Sequence, residues 1–91
     1  TEFALGRVTP NPSAGPMGID YALPFEARVR LSVLDIQGHE VAVLADGTRP
    51  SGRHYVVWNG RAGSRVVAAG VYFVRLQMPK GGLLRRMVII H

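Results

Sequence analysis

Cysteine is absent from the 91 residues, which removes disulfide scaffolds, thiolate zinc sites and cysteine nucleophiles together. Lysine is almost absent: ten of the eleven basic residues are Arg, and Lys80 is the exception. Acids are few as well, six in all, leaving a net charge of +5. No apolar run approaches the roughly 18 residues that a membrane-spanning helix needs. The opening Thr1-Glu2-Phe3-Ala4 lacks the basic start and apolar core of a signal peptide. Any export signal is therefore expected upstream, in a longer protein from which this chain is an excerpt or a processed product. What is plentiful is apolar side chain, 47% of residues, together with eleven Gly and six Pro. Such a composition folds into one domain, residues 1–91, with frequent turns.

Hydrophobic periodicity is close to two nearly everywhere, as strands require. Arg28-Val29-Arg30-Leu31-Ser32-Val33 sets Val29, Leu31 and Val33 on one face and polar residues on the other. Ile19-Asp20-Tyr21-Ala22-Leu23 alternates likewise and stops at Pro24. Asp35 to Gly38 is a hairpin signal, because Asp can bond the following backbone and Gly accepts positive φ. The next strand is expected over 40–44, with either Val41 and Val43 or Ala42 and Leu44 inward, followed by a connection over 45–52. Arg53 to Trp58 reads as a strand closed by Asn59-Gly60, and a further turn is expected around Gly63-Ser64. Val71 to Leu76 is apolar on both faces at its start, hence central. Lys80-Gly81-Gly82 is expected to turn into a last strand, Leu83 to Ile90, and Phe3 to Val8 forms a weaker first one. About seven short strands without a helical stretch predict an all-β, immunoglobulin-like antiparallel sandwich. Its expected core is Tyr21, Leu31, Val33, Trp58, Tyr72 and Val74, with Trp58, Tyr72 and Tyr21 as the aromatic centre.

The residues that could carry chemistry are scattered. Asp20 should face outward and Asp35 and Asp46 adjoin turn glycines, so no carboxylate pair is brought into a cleft. His39, His54 and His91 have no metal-ligand spacing; His54 reads as a histidine at the core margin bonding a nearby backbone group. The serines occupy turns or outward strand positions, and without a helix there is no nucleophile elbow. The Gly-rich places open no helix and are turns, not phosphate cradles. Arg residues are spread along the chain without an aromatic platform, which argues against nucleic acid. No cofactor and no metal is expected. The chemistry points to a binding or structural module and not to an enzyme.

Taken in order, the turn and strand residues form a recognisable series. It runs Asn11-Pro12-Ser13-x-Gly15, Ile19-x-Tyr21-x-Leu23-Pro24, Val29-x-Leu31-x-Val33-x-Asp35-x-x-Gly38 and Val41-x-x-Leu44. It continues through Ser51-Gly52-x-His54-x-x-x-Trp58-x-Gly60 and Gly70-Val71-Tyr72-Phe73-x-x-Leu76, and closes with Arg85-Arg86-Met87-Val88. This series, over about residues 9 to 90, resembles the C-terminal sorting domains carried by proteins of the type IX secretion system. It is equally similar to the immunoglobulin-like domain of flagellar hook-capping proteins. Two departures stand out: Asn59 where the family usually has Asp, with Ala62 in place of a further acid, and Arg85-Arg86 where the family often has Lys.

The resemblance implies a non-catalytic module for export, sorting or surface anchoring, at the C-terminus of a larger exported protein. Its location would be extracellular or at the cell surface. The recognised element would be the last strand, Arg85, Arg86, Met87, Val88, Ile89 and Ile90, whose edge offers unpaired N–H and C=O groups. Partners would be the sorting machinery, an upstream cargo domain and an anionic surface glycan or lipopolysaccharide. A second expectation is an assembling subunit of a filament or hook-cap-like structure, with the two terminal strands pairing to copies of the chain. A third is a carbohydrate-binding accessory module, for which Tyr55 is the best exposed aromatic and Phe25 a poorer one.

Overall fold

The computed structural model describes residues 2–90; His91, weighed above as a ligand, lies outside them with Thr1. Nine strands run in chain order: β1 (Ala4–Thr9), β2 (Met17–Leu23), β3 (Ala27–Leu34), β4 (Glu40–Arg49), β5 (Gly52–Trp58), β6 (Arg61–Ala62), β7 (Arg65–Val66), β8 (Gly70–Met78) and β9 (Gly81–Ile89). Seven of them build two antiparallel sheets, β1-β2-β5 and β4-β3-β8-β9, while β6 and β7 form a two-residue hairpin of their own. The fold is thus the expected all-β sandwich, and the extra two strands come from the turn foreseen around Gly63-Ser64.

The core lies between the sheets and follows the period-two pattern. Ile19, Tyr21 and Leu23 from β2 face Val29, Leu31 and Val33 from β3, joined by Val74 and Leu76 from β8 and Met87 and Ile89 from β9. All six expected core residues are buried. The aromatic centre is divided, however. Trp58 meets Tyr72 edge to face at 6.4 Å, whereas Tyr21 stacks on His54 at 4.9 Å. His54 does bond nearby backbone, its Nε2 lying 2.8 Å from the Pro50 carbonyl oxygen. Ser32 and Leu34 have the outward parity of β3 yet are also buried, because β3 is a central strand flanked by β4 and β8.

β4 departs most from expectation. The segment 45–52, read as a connection, continues as strand to Arg49, so that Ala45, Asp46, Gly47, Thr48 and Arg49 all pair with β3. The register shifts twice, between Leu31 and Ser32 and between Val33 and Leu34. Each shift inserts an extra residue into β4 and reverses the parity of its side chains. Val41, Ala42 and Leu44 therefore all pack partly against the core, and neither of the two inward sets holds alone. A smaller correction concerns the last hairpin. Met78 pairs with Gly81, so Pro79-Lys80 is the turn and Gly81-Gly82 already belong to β9.

The hairpin at Asp35 forms as its chemistry requires. Asp35 Oδ1 accepts hydrogen bonds from the backbone N–H groups of Gln37 and His39, both at 2.9 Å, and Gly38 has φ of 85°. At the other reversal Asn59 Oδ1 accepts from the Arg61 N–H at 3.0 Å and Gly60 has φ of 77°. Asparagine thus supplies the acceptor that an aspartate would.

Candidate recognition surface

A sandwich of this kind has two long seams where the edges of its sheets come together, and here they differ. At one seam β9, the edge of the four-stranded sheet, runs beside β1, the edge of the three-stranded sheet. This seam is closed by the chain itself. Asn11 Nδ2 donates to the Arg86 carbonyl at 3.2 Å, and the Val88 N–H donates to Asn11 Oδ1 at 2.9 Å. The Ser13 N–H donates to the Val88 carbonyl at 3.0 Å, and the Ile90 N–H to the Ser13 carbonyl at 2.9 Å. Ser13 is itself buried, its hydroxyl accepting from the Gly15 N–H at 3.2 Å. Arg85 shares the inward parity of Met87 and Ile89, yet its Nε reaches across to the Leu5 carbonyl at 2.9 Å.

These contacts refine the expectation for the last strand. Over Arg86 to Ile90 the free backbone edge is largely taken by residues 11–13, so side chains, not an open ladder, are what this part of β9 presents. Met87 and Ile89 are buried, and Val88 is half-buried. Arg86 is exposed and has no ion-pair or hydrogen-bond partner for its guanidinium among the described residues, as is Arg7 across the seam. Arg7, Arg85 and Arg86 line one groove with Thr9, Asn11 and Pro12, and no acid lines it. The sequence marks Asn11 and Pro12 as a turn; that Asn11, with Ser13, clasps a strand 75 residues later was not legible.

The turn positions of the series serve geometry. Gly52 (φ 115°) and Gly70 (φ 152°) open β5 and β8 in the left-handed half of conformational space, where a side chain would be strained. Gly15 packs its segment beside Ser13. Asp35 and Gly38 belong to a separate reversal, whereas Asn59 and Gly60 share a hollow with Gly15 and Ile89 at the end of β9.

The outer face of the four-stranded sheet holds a charge network that the sequence did not announce. Arg30 pairs with Glu40 through two hydrogen bonds and with Asp46 at 2.8 Å, and Arg75 Nη2 lies 3.6 Å from Glu40. The Arg30 guanidinium holds the Glu40 carboxyl below its usual value, against the opposing effect of desolvation. The backbone N–H of His39 does the same for Asp35. Both carboxylates bind protons less readily when folded, so their stabilisation is present above the ordinary carboxylate range near pH 4 and is lost as pH falls through the lowered folded values. Chemical denaturation across an acid series is expected to show stability falling below about pH 4.5, with a shallower slope in Glu40→Gln. Among the described residues no group of three or more His, Asp or Glu could hold a metal ion.

The sandwich with its seven sheet strands defines the class: an immunoglobulin-like β-domain. The profile of the FlgD Ig-like domain matches residues 8–82, and the chain belongs to that family. Among solved structures it is similar to PorZ, described as an essential bacterial surface component of the type-IX secretion system of Porphyromonas gingivalis. That likeness has a TM-score of 0.61 and 27% identity, over 93% of this chain. The chain spans about a tenth of that protein's length, 11%. No curated protein matches.

Proposed function

We propose that this domain is a non-catalytic module that sorts or anchors an exported protein at the cell surface, as one part of a longer chain. The observation that carries the reading is the similarity along nearly the whole domain to a surface component of type IX secretion, of which the domain corresponds to a small part. Its partners are the secretion machinery and an upstream cargo domain, and its working location is extracellular or on the surface. The β1/β9 groove supplies the contact, with Arg86 as its free cation and Arg7 beside it. An anionic group, on a protein or a surface glycan, suits a groove of arginines without an acid.

The test is a fusion of the 91 residues behind a periplasm-directed reporter in a bacterium with type IX secretion. The reporter is expected at the surface or in the medium, and Arg86→Ala should reduce that fraction while the domain's melting temperature stays unchanged. Arg86 is the informative position because Arg85 also bonds Leu5. Retention of a folded wild-type fusion in the periplasm would refute the sorting role.

A further inference from the structure

The second seam of the sandwich, between β4 and β5, is open, and its two edges are unequal. Natural sheets protect their edges with bulges, charges, prolines or covering segments. β1 carries a register shift between Leu5 and Val8, β4 carries two, and β9 is covered by residues 11–13 from Arg86 onward. β5 has no bulge, no proline and no covering segment, and Arg53 near its start is its one charged residue. All seven of its residues, Gly52 to Trp58, pair in unbroken register with β2. No other backbone or side-chain hydrogen bond among the described residues engages the main chain of residues 53–58 on the far side. Its outward side chains are Arg53, Tyr55 and Val57, the last two exposed at 62% and 59%. The Tyr55 phenol lies over Gly18, where a Cβ would collide with it, so the ring is placed on the sheet and is not a loose surface side chain.

We infer that β5 is a self-pairing edge: two copies of this chain join β5 to β5 antiparallel, centred on Tyr55, into one six-stranded sheet. The sequence of β5 is suited to its own reverse. With Tyr55 opposite Tyr55 of the second copy, each Arg53 falls opposite a Val57, so no like charges face each other across the new ladder. On the inner face each His54 falls opposite a Val56. Asp20, which pairs with Tyr55 in the β2–β5 ladder, has no partner of its own among the described residues. Arg53 and Asp20 line the same hollow on the outward face, so both signs of charge stand beside this edge. The surface around β5 is thus locally balanced although the chain as a whole is +5. The pairing does not depend on a sorting role, since its edge is remote in the sheet order from β9.

Sedimentation and light scattering of the 91-residue chain over a concentration series should show a monomer–dimer equilibrium. Val57→Lys, at an exposed position, should abolish the dimer without lowering the melting temperature measured at concentrations where the wild type is monomeric. Because the chain has no native cysteine, register can be read directly. Tyr55→Cys should oxidise to a disulfide dimer, since facing Cα atoms in an antiparallel pair lie about 4.5–5.5 Å apart. Arg53→Cys alone should not, because its copies would stand about 14 Å apart along the ladder, but Arg53→Cys mixed with Val57→Cys should. A wild type that stays monomeric throughout, a dimer that survives Val57→Lys, or equal cross-linking of Tyr55→Cys and Arg53→Cys alone would each overturn the inference.

Discussion

Trp58→Ala is expected to destabilise the domain by about 3–5 kcal/mol in chemical denaturation, the range for removing a large aromatic from a core. Trp58 is 2% exposed at the end of β5, where it packs on the core cluster and meets the ring of Tyr72. Its Nε1 donates to the Arg61 carbonyl at 3.0 Å, tying the short β6–β7 hairpin to the sandwich. The substitution therefore removes apolar burial, leaves a cavity and frees a carbonyl at once. Tyr72 is held separately, its hydroxyl donating to the Ala68 carbonyl at 2.7 Å, so neighbouring side chains cannot simply collapse into the space. A loss under about 1 kcal/mol would contradict this account of the core and its cavity.

The second large effect is expected at Met87, for which alanine should cost about 2–5 kcal/mol. Met87 lies on the outermost strand of its sheet, where a solvent-exposed side chain would be unsurprising, yet it is 1% exposed and sits opposite Tyr72 in the β8–β9 ladder. One residue earlier, Arg86→Ala should change stability by less than about 0.5 kcal/mol, as surface substitutions usually do. The contrast between adjacent residues separates two roles within the same strand. Met87 and Ile89 hold β9 in the core, and the Arg86 side chain is exposed at that edge. If Met87→Ala proved as mild as Arg86→Ala, β9 would be a loosely attached strand and not an integral edge of the sandwich.

This division bears on how the proposed sorting surface can coexist with a stable fold. A strand that offered an open backbone ladder at the end of a sheet would invite indiscriminate pairing. Here Asn11 and Ser13 occupy that ladder from Arg86 to Ile90. In the proposed sorting role, selectivity at β9 rests on side-chain charge, which is screened by salt over about 8–10 Å. Recognition through Arg86 and Arg7 should accordingly weaken as ionic strength rises, whereas pairing through the uncovered β5 should be much less affected.

Much of the architecture was legible because it rests on local chemistry. The alternation in 19–23 and 28–33 fixed which side of β2 and β3 meets the core, since a one-residue slip would turn every apolar side chain to water. Asp35 with Gly38, and Asn59 with Gly60, specified their reversals through acceptor and positive-φ requirements that no distant residue had to supply. His54 was read as a backbone-bonded residue from parity alone, and its Pro50 partner lies four residues away. The buried set followed from the same periodicity.

Contacts between distant segments were decided by the tertiary structure. The two bulges of β4 depend on how it seats against β3, and they convert a stretch that looked like a connection into strand. The clasp of Asn11 and Ser13 on β9 and the reach of Arg85 to Leu5 span most of the chain, so nothing local marks them. The Arg30–Glu40–Asp46–Arg75 network needs three strands in register before its charges meet. Which edges are bulged, covered or left open is likewise a property of the assembled sheets. Sequence by itself determined that this chain is an immunoglobulin-like sandwich with a basic last strand, because side-chain parity and turn chemistry are local. The folded arrangement decided that this last strand is latched from Arg86 onward and that β5 stands uncovered, because an edge exists only once every strand has taken its neighbours.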